Sequence, residues 1–380
     1  MNGASSLRIL HVMRAPVGGL FRHVIDLARG QTARGHKVGI IADSSTGSKS
    51  AAGTLEELNS ALALGITRVP MSRQLGPRDW SALAHVKQRA AETDADILHG
   101  HGAKGGAYAR LAGGRALTAY TPHGGSLFYS PYSPMGLAYF AIERWLRRRT
   151  DVVLFESAHA HDAFGRFIGK PPFSRVVHNG ISKDELVEVK PDNDAVDVVF
   201  IGELRWRKGI DVLLQALALL AAEGWRGKAI FFGEGPDRKA CEEMAGKLDL
   251  GAQVSFPGES RPRAAFASGK LLVIPSRQES LPYIVLEAAA ARMPMVTTSV
   301  GGIPEIFGSD AEALVPAGDV VALVAAIKRM RNGGRPDLVE RLHQRVARHF
   351  SVEAMTEAVL AAYAEARNYR RSSVNGKRGN

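Results

Sequence analysis

Short apolar runs alternate with longer amphipathic stretches along almost the whole chain. In the first half the strand-like runs are Ile9–Met13, Val38–Ala42, Ile97–His99, Leu117–Thr121, Asp151–Phe155 and Arg175–Val177. Between them lie helical patterns such as Leu20–Ala33, Trp80–Ala91 and Leu137–Arg148. The second half repeats the rhythm with Asp197–Ile201, Ile210–Ala222, Ala229–Phe232, Pro236–Leu248, Gln253–Phe256, Leu271–Ile274, Pro282–Ala291 and Met295–Thr298. Strands joined through helices run parallel, and a parallel sheet needs helices on both faces. The pattern therefore predicts an α/β chain with parallel sheets. Its 380 residues suit two such domains, at roughly 100–200 residues each.

The break is expected at 182–196 (SKDELVEVKPDNDAV), which is polar, carries Pro191 and follows the Asn179-Gly180 turn signal. The expected organisation is a first domain at 1–181, this linker, and a second domain at 197–350. An amphipathic helix over 351–370 and a disordered basic tail over 371–380 complete it.

The composition is that of an ordinary globular protein, 45% hydrophobic and 23% charged, which excludes disorder as the main theme. No run approaches the ~18 apolar residues of a membrane span, and MNGASSLRIL lacks an apolar leader core. Cys241 is the only cysteine, so no intrachain disulfide or cysteine metal cluster can form. A cytoplasmic protein is expected. Of the net charge of +11, residues 1–180 carry +10. A basic half suits a polyanionic surface, whether anionic lipid, nucleic acid or a phosphorylated substrate.

Several loops at strand ends carry chemistry. After Leu271–Ile274 comes PSRQESLPYIVLEAAAARMP, with Glu279 in the loop and Glu287 eight residues on, within a helix that reads as buried. Backbone N–H groups at such a helix start favour a phosphate, and carboxylates nearby can hold sugar hydroxyls. Glu279 would equally serve as a helix N-terminal charge, and Glu287 as a structural hydrogen-bond partner. In VVFIGELRWRKG, Arg205, Arg207 and Lys208 cluster where a diphosphate could lie. FFGEGP places Gly233, Gly235 and Pro236 at another strand end, but lacks the full G-x-G-x-x-G of a dinucleotide site. In the first half Gly18 and Gly19 open a helix after the first strand. His123 ends a strand in TPHGG, and His101 is expected in the loop after the preceding one, in HGHGAKGG.

At these residues the sequence resembles the retaining glycosyltransferases of family 4, from about Arg8 to Tyr363. The most specific element is the E-x7-E signature, Glu279 to Glu287, in ESLPYIVLEAAAARMPMV followed by VGGIPEI. The remaining matches are Gly18-Gly19, HGHGAKG, TPHG, VHNGI, GELRWRKG and FFGEGP. The resemblance implies a GT-B fold, two facing Rossmann-like domains with an interdomain cleft. It also implies a nucleotide-sugar donor, UDP-sugar by default, held mainly by the second domain. By analogy Glu287 would bind the ribose hydroxyls, near Gly233, Gly235 and Pro236. Glu279 would bind the transferred sugar, with Ser280, Leu281, Pro282 and Tyr283 beside it. Lys208 and an arginine would neutralise the diphosphate, His123 would touch the sugar near its reacting carbon, and Gly18-Gly19 would face the diphosphate. No metal or other cofactor is implied, so His123, Glu279 and Lys208 are the catalytic candidates. Where the family commonly has arginine this chain has Glu203, so the arginine role falls to Arg205 or Arg207, with Arg205 preferred.

The acceptor side is expected in the first domain, around His101, Phe128 and Tyr129. The aromatic segment Tyr120–Arg149, ending in Arg147–Arg149, suits a glycan or polyprenyl-linked acceptor and peripheral contact with anionic membrane at its inner face. A core helix with a solvated basic end is the alternative. Relatives of this kind often build exopolysaccharide or lipopolysaccharide. Two rivals are a same-fold nucleotide-sugar epimerase, disfavoured by E-x7-E with GELRWRKG, and a nucleic-acid binder, for which no recognised module is legible.

Overall fold

The computed structural model describes residues 6–376 apart from Ser48 and Leu75. The described residues divide between two compact units, one drawn from 1–180 and 352–380 and one from 181–351.

Unit 1 holds a parallel sheet of β1 (Arg8–Met13), β2 (Lys37–Asp43), β3 (Gly65–Val69), β4 (Ile97–His101), β5 (Leu117–Thr121), β6 (Val152–Phe155) and β7 (Ser174–Val176). Their order is β3-β2-β1-β4-β5-β6-β7. β3 was not legible in the sequence, because GITRV is a half-exposed edge strand with a short, mixed pattern. Chain progression reverses between β1 and β4, opening a crevice at their carboxyl ends. The register sets His11 beside His99 and His101 beside Thr121.

Unit 2 repeats the plan with β8 (Val198–Ile201), β9 (Ala229–Phe232), β10 (Val254–Gly258), β11 (Leu272–Ile274) and β12 (Met295–Thr297). Their order is β10-β9-β8-β11-β12, so the switch point lies between β8 and β11. One face is covered by the strongly apolar helix Ile210–Ala222 and the other by the helix Tyr283–Ala290. The 182–196 segment, expected as a linker, falls within unit 2, where Ser182 and Glu185 form a capping box.

The last helix, Val352–Gly376, returns to unit 1. Met355, Val359, Ala362, Tyr363 and Ala366 complete the core of Ile9, Leu27, Ile97 and Leu117. It extends past the 351–370 expected from the amphipathic pattern, because no breaker intervenes before Gly376. A tail over all of 371–380 is thus corrected at its start, and residues 377–380 lie outside the described residues.

The helix Pro134–Arg147 is fastened to unit 1 by a buried ion pair, Arg110 to Glu143, at 2.7 and 3.2 Å. The Tyr120 hydroxyl donates to the same carboxylate at 3.1 Å, and the Arg110 guanidinium lies 3.8 Å from the Tyr120 ring centre. Glu143→Ala would leave that guanidinium charged and unpaired. We expect a loss of about 3–5 kcal/mol of unfolding free energy in urea titration; a loss below 1 kcal/mol would contradict this role.

Candidate functional site

In unit 2 the functional loops follow β8 and β11, at the switch point. Gly209, in the left-handed region at φ 70°, lets the first loop approach the second so closely that a Cβ would strike the Pro275 carbonyl. The Arg277 N–H donates to the Arg207 carbonyl at 2.8 Å, and its guanidinium grips both oxygens of Asp211 at 2.6 Å. Lys208 and Glu279 meet in this seam. The Lys208 ammonium donates to Glu279 Oε1 at 2.6 Å, and the Ser276 hydroxyl donates to the same oxygen at 2.7 Å. Gly301 and Gly302 hold the far side of the loop, the Gly302 N–H donating to the Ser280 carbonyl at 2.6 Å.

Glu203 pairs with both candidate arginines, Arg205 at 2.9 Å and Arg207 at 2.9 Å. Burial alone would raise the Glu203 pKa, but hydrogen bonds from Arg207 and Arg205 outweigh it and hold the carboxylate below its ordinary range. Leu281, Pro282 and Tyr283 have buried side chains, so this stretch offers a ligand mainly its backbone. Glu287 is half-buried, not enclosed as its apolar neighbours suggested, because it lies on the helix edge while Leu286 and Ala288 face the core.

The glycines of FFGEGP have a local reason. A Cβ at Gly233 would strike the Gly202 carbonyl, and one at Gly235 the Leu204 backbone. The Leu204 N–H donates to the Glu234 carbonyl at 2.9 Å, locking the two loops together. Pro236 is exposed beside them. Sequence reading missed Ser276, Arg277 and Asp211, which orient the loops and have no motif of their own.

In unit 1, Gly18 and Gly19 are exposed at the start of the helix Gly18–Ala33, which no side chain caps among the described residues. His101 is the last residue of β4 and not a loop residue, because the strand pairs as far as Thr121; it is 1% exposed. His123 is half-buried and sits at φ 52°, followed by Gly124 at 76° and Gly125 at 38°. Such a left-handed run at a strand end is strained backbone held by its surroundings, here by the Gly124 N–H donating to Glu156 at 2.9 Å. His11, His23 and His99 join His101 and His123 in one imidazole cluster that the sequence did not reveal. Their pKa values are all lowered. Burial, opposed by the hydrogen bond to Asn179 and aided by repulsion from His11, takes His23 to about 4, and burial takes His11 to about 4 against its hydrogen bond to Gln31. His99, His101 and His123 are driven well below the ordinary value by the same burial and neighbouring histidines.

Phe128 is half-buried with its ring against Gly124, while Tyr129 is exposed and stacks on Tyr139 at 4.6 Å. The segment divides in two. Phe140 is core, whereas Tyr132, Met135, Leu137, Ile142 and Trp145 are exposed, Tyr132 by 91%. Arg149 lies 4.0 Å above the Trp145 ring, while Arg144 and Arg147 hydrogen-bond the carbonyls of Phe167 and Lys170.

Two family models match this chain, Glycosyltransferase Family 4 over residues 17–185 and Glycosyl transferases group 1 over residues 195–332. HepE of Anabaena, solved with UDP-glucose, superposes with a TM-score of 0.78 over 94% of this chain and 100% of that one, at 18% identity. The chain belongs to the GT-B glycosyltransferases. Its GT-B fold is shared with WaaG, a glycosyltransferase involved in lipopolysaccharide biosynthesis, at a TM-score of 0.69 and 20% identity, covering 94% and 98% of the two chains. Among curated relatives, EpsD of Bacillus subtilis is 26% identical over 78% of this chain and 83% of its own. TuaC of the same organism is 29% identical over 43% of this chain, and the match spans 41% of the length of TuaC.

The histidines give this GT-B chain an acid limit. Each has a folded pKa below its unfolded value near 6.5, so the unfolded state takes up more protons. Their stabilisation is whole above pH 6.5 and drains as the pH falls toward about 4, the folded value for His11 and His23. Each imidazole contributes a slope of about 1.4 kcal/mol per pH unit in that window. Urea midpoints should fall steeply from pH 6.5 to 4.5, and a flat profile there would contradict neutral burial.

Proposed function

We propose that the chain is a retaining glycosyltransferase that moves a sugar from a nucleotide-sugar, a UDP-sugar by default, to a glycan or polyprenyl-linked acceptor in cell-surface polysaccharide synthesis. The observation that carries it is the Lys208–Glu279 pair at 2.6 Å, at the β8/β11 switch point and eight residues before Glu287 on the following helix. A donor diphosphate would draw the Lys208 ammonium away from Glu279. The freed carboxylate, still held by the Ser276 hydroxyl, would then accept from a sugar hydroxyl. Glu287 would take the ribose hydroxyls, and Gly233, Gly235 and Pro236 would shape the nucleoside side. Arg205 would add charge at the diphosphate only by loosening its bond to Glu203. His123 in unit 1 would touch the sugar near its reacting carbon, and Gly18 and Gly19 would offer helix N-terminal N–H groups to the diphosphate. Transition-state charge is thus met by fixed cations and backbone dipoles, with no metal at the diphosphate.

HepE was solved with UDP and with UDP-glucose, which supports the choice of nucleotide. Thermal-shift titration against UDP, GDP, ADP and their sugars tests it. We expect saturable stabilisation by one nucleotide without added metal, weakened in Lys208→Ala and Glu287→Ala, and a turnover loss of about 10²-fold in Lys208→Ala. Stabilisation equal in wild type and both variants would reject the site.

Among the described residues no helix is long and apolar enough to cross a membrane. The exposed face of Tyr132, Met135, Leu137 and Trp145, with Arg148 and Arg149, supports peripheral contact at the cytoplasmic side of an anionic membrane, where a lipid-linked acceptor would lie. Because Arg147 is bound to backbone, the informative variant is Trp145→Ala with Arg148→Gln and Arg149→Gln. It should lose sedimentation with phosphatidylglycerol vesicles, with its thermal midpoint retained; unchanged sedimentation would reject the surface.

A further inference from the structure

The five imidazoles around β1 and β4 differ in which nitrogens are already committed. His99 uses both, facing the Thr121 hydroxyl at 2.8 Å and the Tyr363 hydroxyl at 2.7 Å. His11 also uses both. Its Nε2–H donates to Gln31 Oε1 at 2.8 Å, since an amide oxygen only accepts, and its Nδ1 therefore accepts from His101 Nε2–H at 3.0 Å. That assignment leaves the His101 Nδ1 lone pair directed at His123, whose Nε2 is 3.1 Å away. His23 donates its Nδ1–H to Asn179 Oδ1 at 3.0 Å, so its Nε2 also carries a lone pair. His23 is 2% exposed, and that Nε2 is buried with no hydrogen-bond partner.

We propose that His23, His101 and His123 form a binding site for a divalent transition-metal ion of the zinc class. One nitrogen from each of the three rings lies within 4.8 Å of the other two. Zinc–nitrogen bonds of about 2.0–2.1 Å place neighbouring ligand atoms of a tetrahedron about 3.4 Å apart, close to the 3.1 Å already separating His101 and His123. The outer partners of two of the three ligands are in place as well. A metal-bound histidine ordinarily donates its other ring N–H to an oxygen or a further acceptor that fixes its tautomer. Asn179 does this for His23, and the His11–Gln31 chain does it for His101. Loading requires only that His123 move its proton from Nε2 to Nδ1, with no net proton released. Burial keeps the rings neutral, as ligands must be. Three protein nitrogens would leave the fourth position of a tetrahedral ion to water. The alternative triad His11, His99 and His101 has its nitrogens engaged by Gln31, Thr121, Tyr363 and one another.

Because His123 is the side chain proposed to touch the transferred sugar, metal occupancy would oppose turnover. The site itself rests on geometry in unit 1 alone and stands whether or not sugar transfer is found. The test is calorimetric titration of the chelator-treated full-length protein with Zn²⁺, together with the visible d–d spectrum on adding Co²⁺. His23→Gln removes the buried ligand. His123→Asn is the second variant, since asparagine tolerates the left-handed backbone there and preserves the fold; exposed His85→Gln is the control. We expect one equivalent of Zn²⁺, a four-coordinate Co²⁺ spectrum, and affinity weakened at least about tenfold in both ligand variants but not in the control. No saturable binding by wild type, or equal affinity in wild type, H23Q and H123N, would overturn the site.

Discussion

Parallel pairing imposes a crossover helix between successive strands, and where the crossovers change direction two neighbouring strands lose the loops that would cover their carboxyl ends. Both units have one such place, between β1 and β4 and between β8 and β11. The chemistry-bearing residues collect there because the loops after strands, with the strand and helix ends that flank them, face the crevice left at the carboxyl ends. Gly209 and Gly301 serve this arrangement, since each lets one loop touch another's backbone where any side chain would collide.

In unit 2 the charges are balanced before any ligand arrives. Lys208 is matched by Glu279, Arg277 by Asp211, and Arg205 with Arg207 by Glu203. An uncompensated cation cluster beside a packed sheet would be costly. In the proposed reaction a diphosphate exchanges one carboxylate partner for another set of oxygens, so little new desolvation is needed. Glu203, where a family arginine is common, acts here as the counter-ion of two arginines.

Unit 1 treats polarity differently. Four histidines, His11, His23, His99 and His101, occupy positions that would otherwise be apolar core, with half-buried His123 beside them, and they persist there as neutral rings hydrogen-bonded through Gln31, Asn179, Thr121 and Tyr363. Satisfied in this way they order the crevice, and the same burial makes the unit sensitive to acid. The final helix is part of this arrangement, since Tyr363 on it bonds His99 at the sheet centre.

The α/β class, the division into two parallel-sheet units and the loops that carry Lys208, Glu279 and His123 were legible from residue order, because strand and helix periodicities are local properties of a sequence. Edge strand β3 was not, since half-exposed GITRV lacks a sustained apolar run. The partners of the site residues were also hidden. Lys208 and Glu279 stand 71 positions apart, and His99 and Tyr363 stand 264 apart; no local pattern records which side chains a fold will bring within hydrogen-bond reach. His101 and His123 stood out at strand ends, but His11, His23 and His99 did not, and only strand register and crossover direction joined the five. Composition and periodicity determined what kind of layers the chain builds; the tertiary structure decided which charges neutralise each other and which imidazole was left with an unused lone pair.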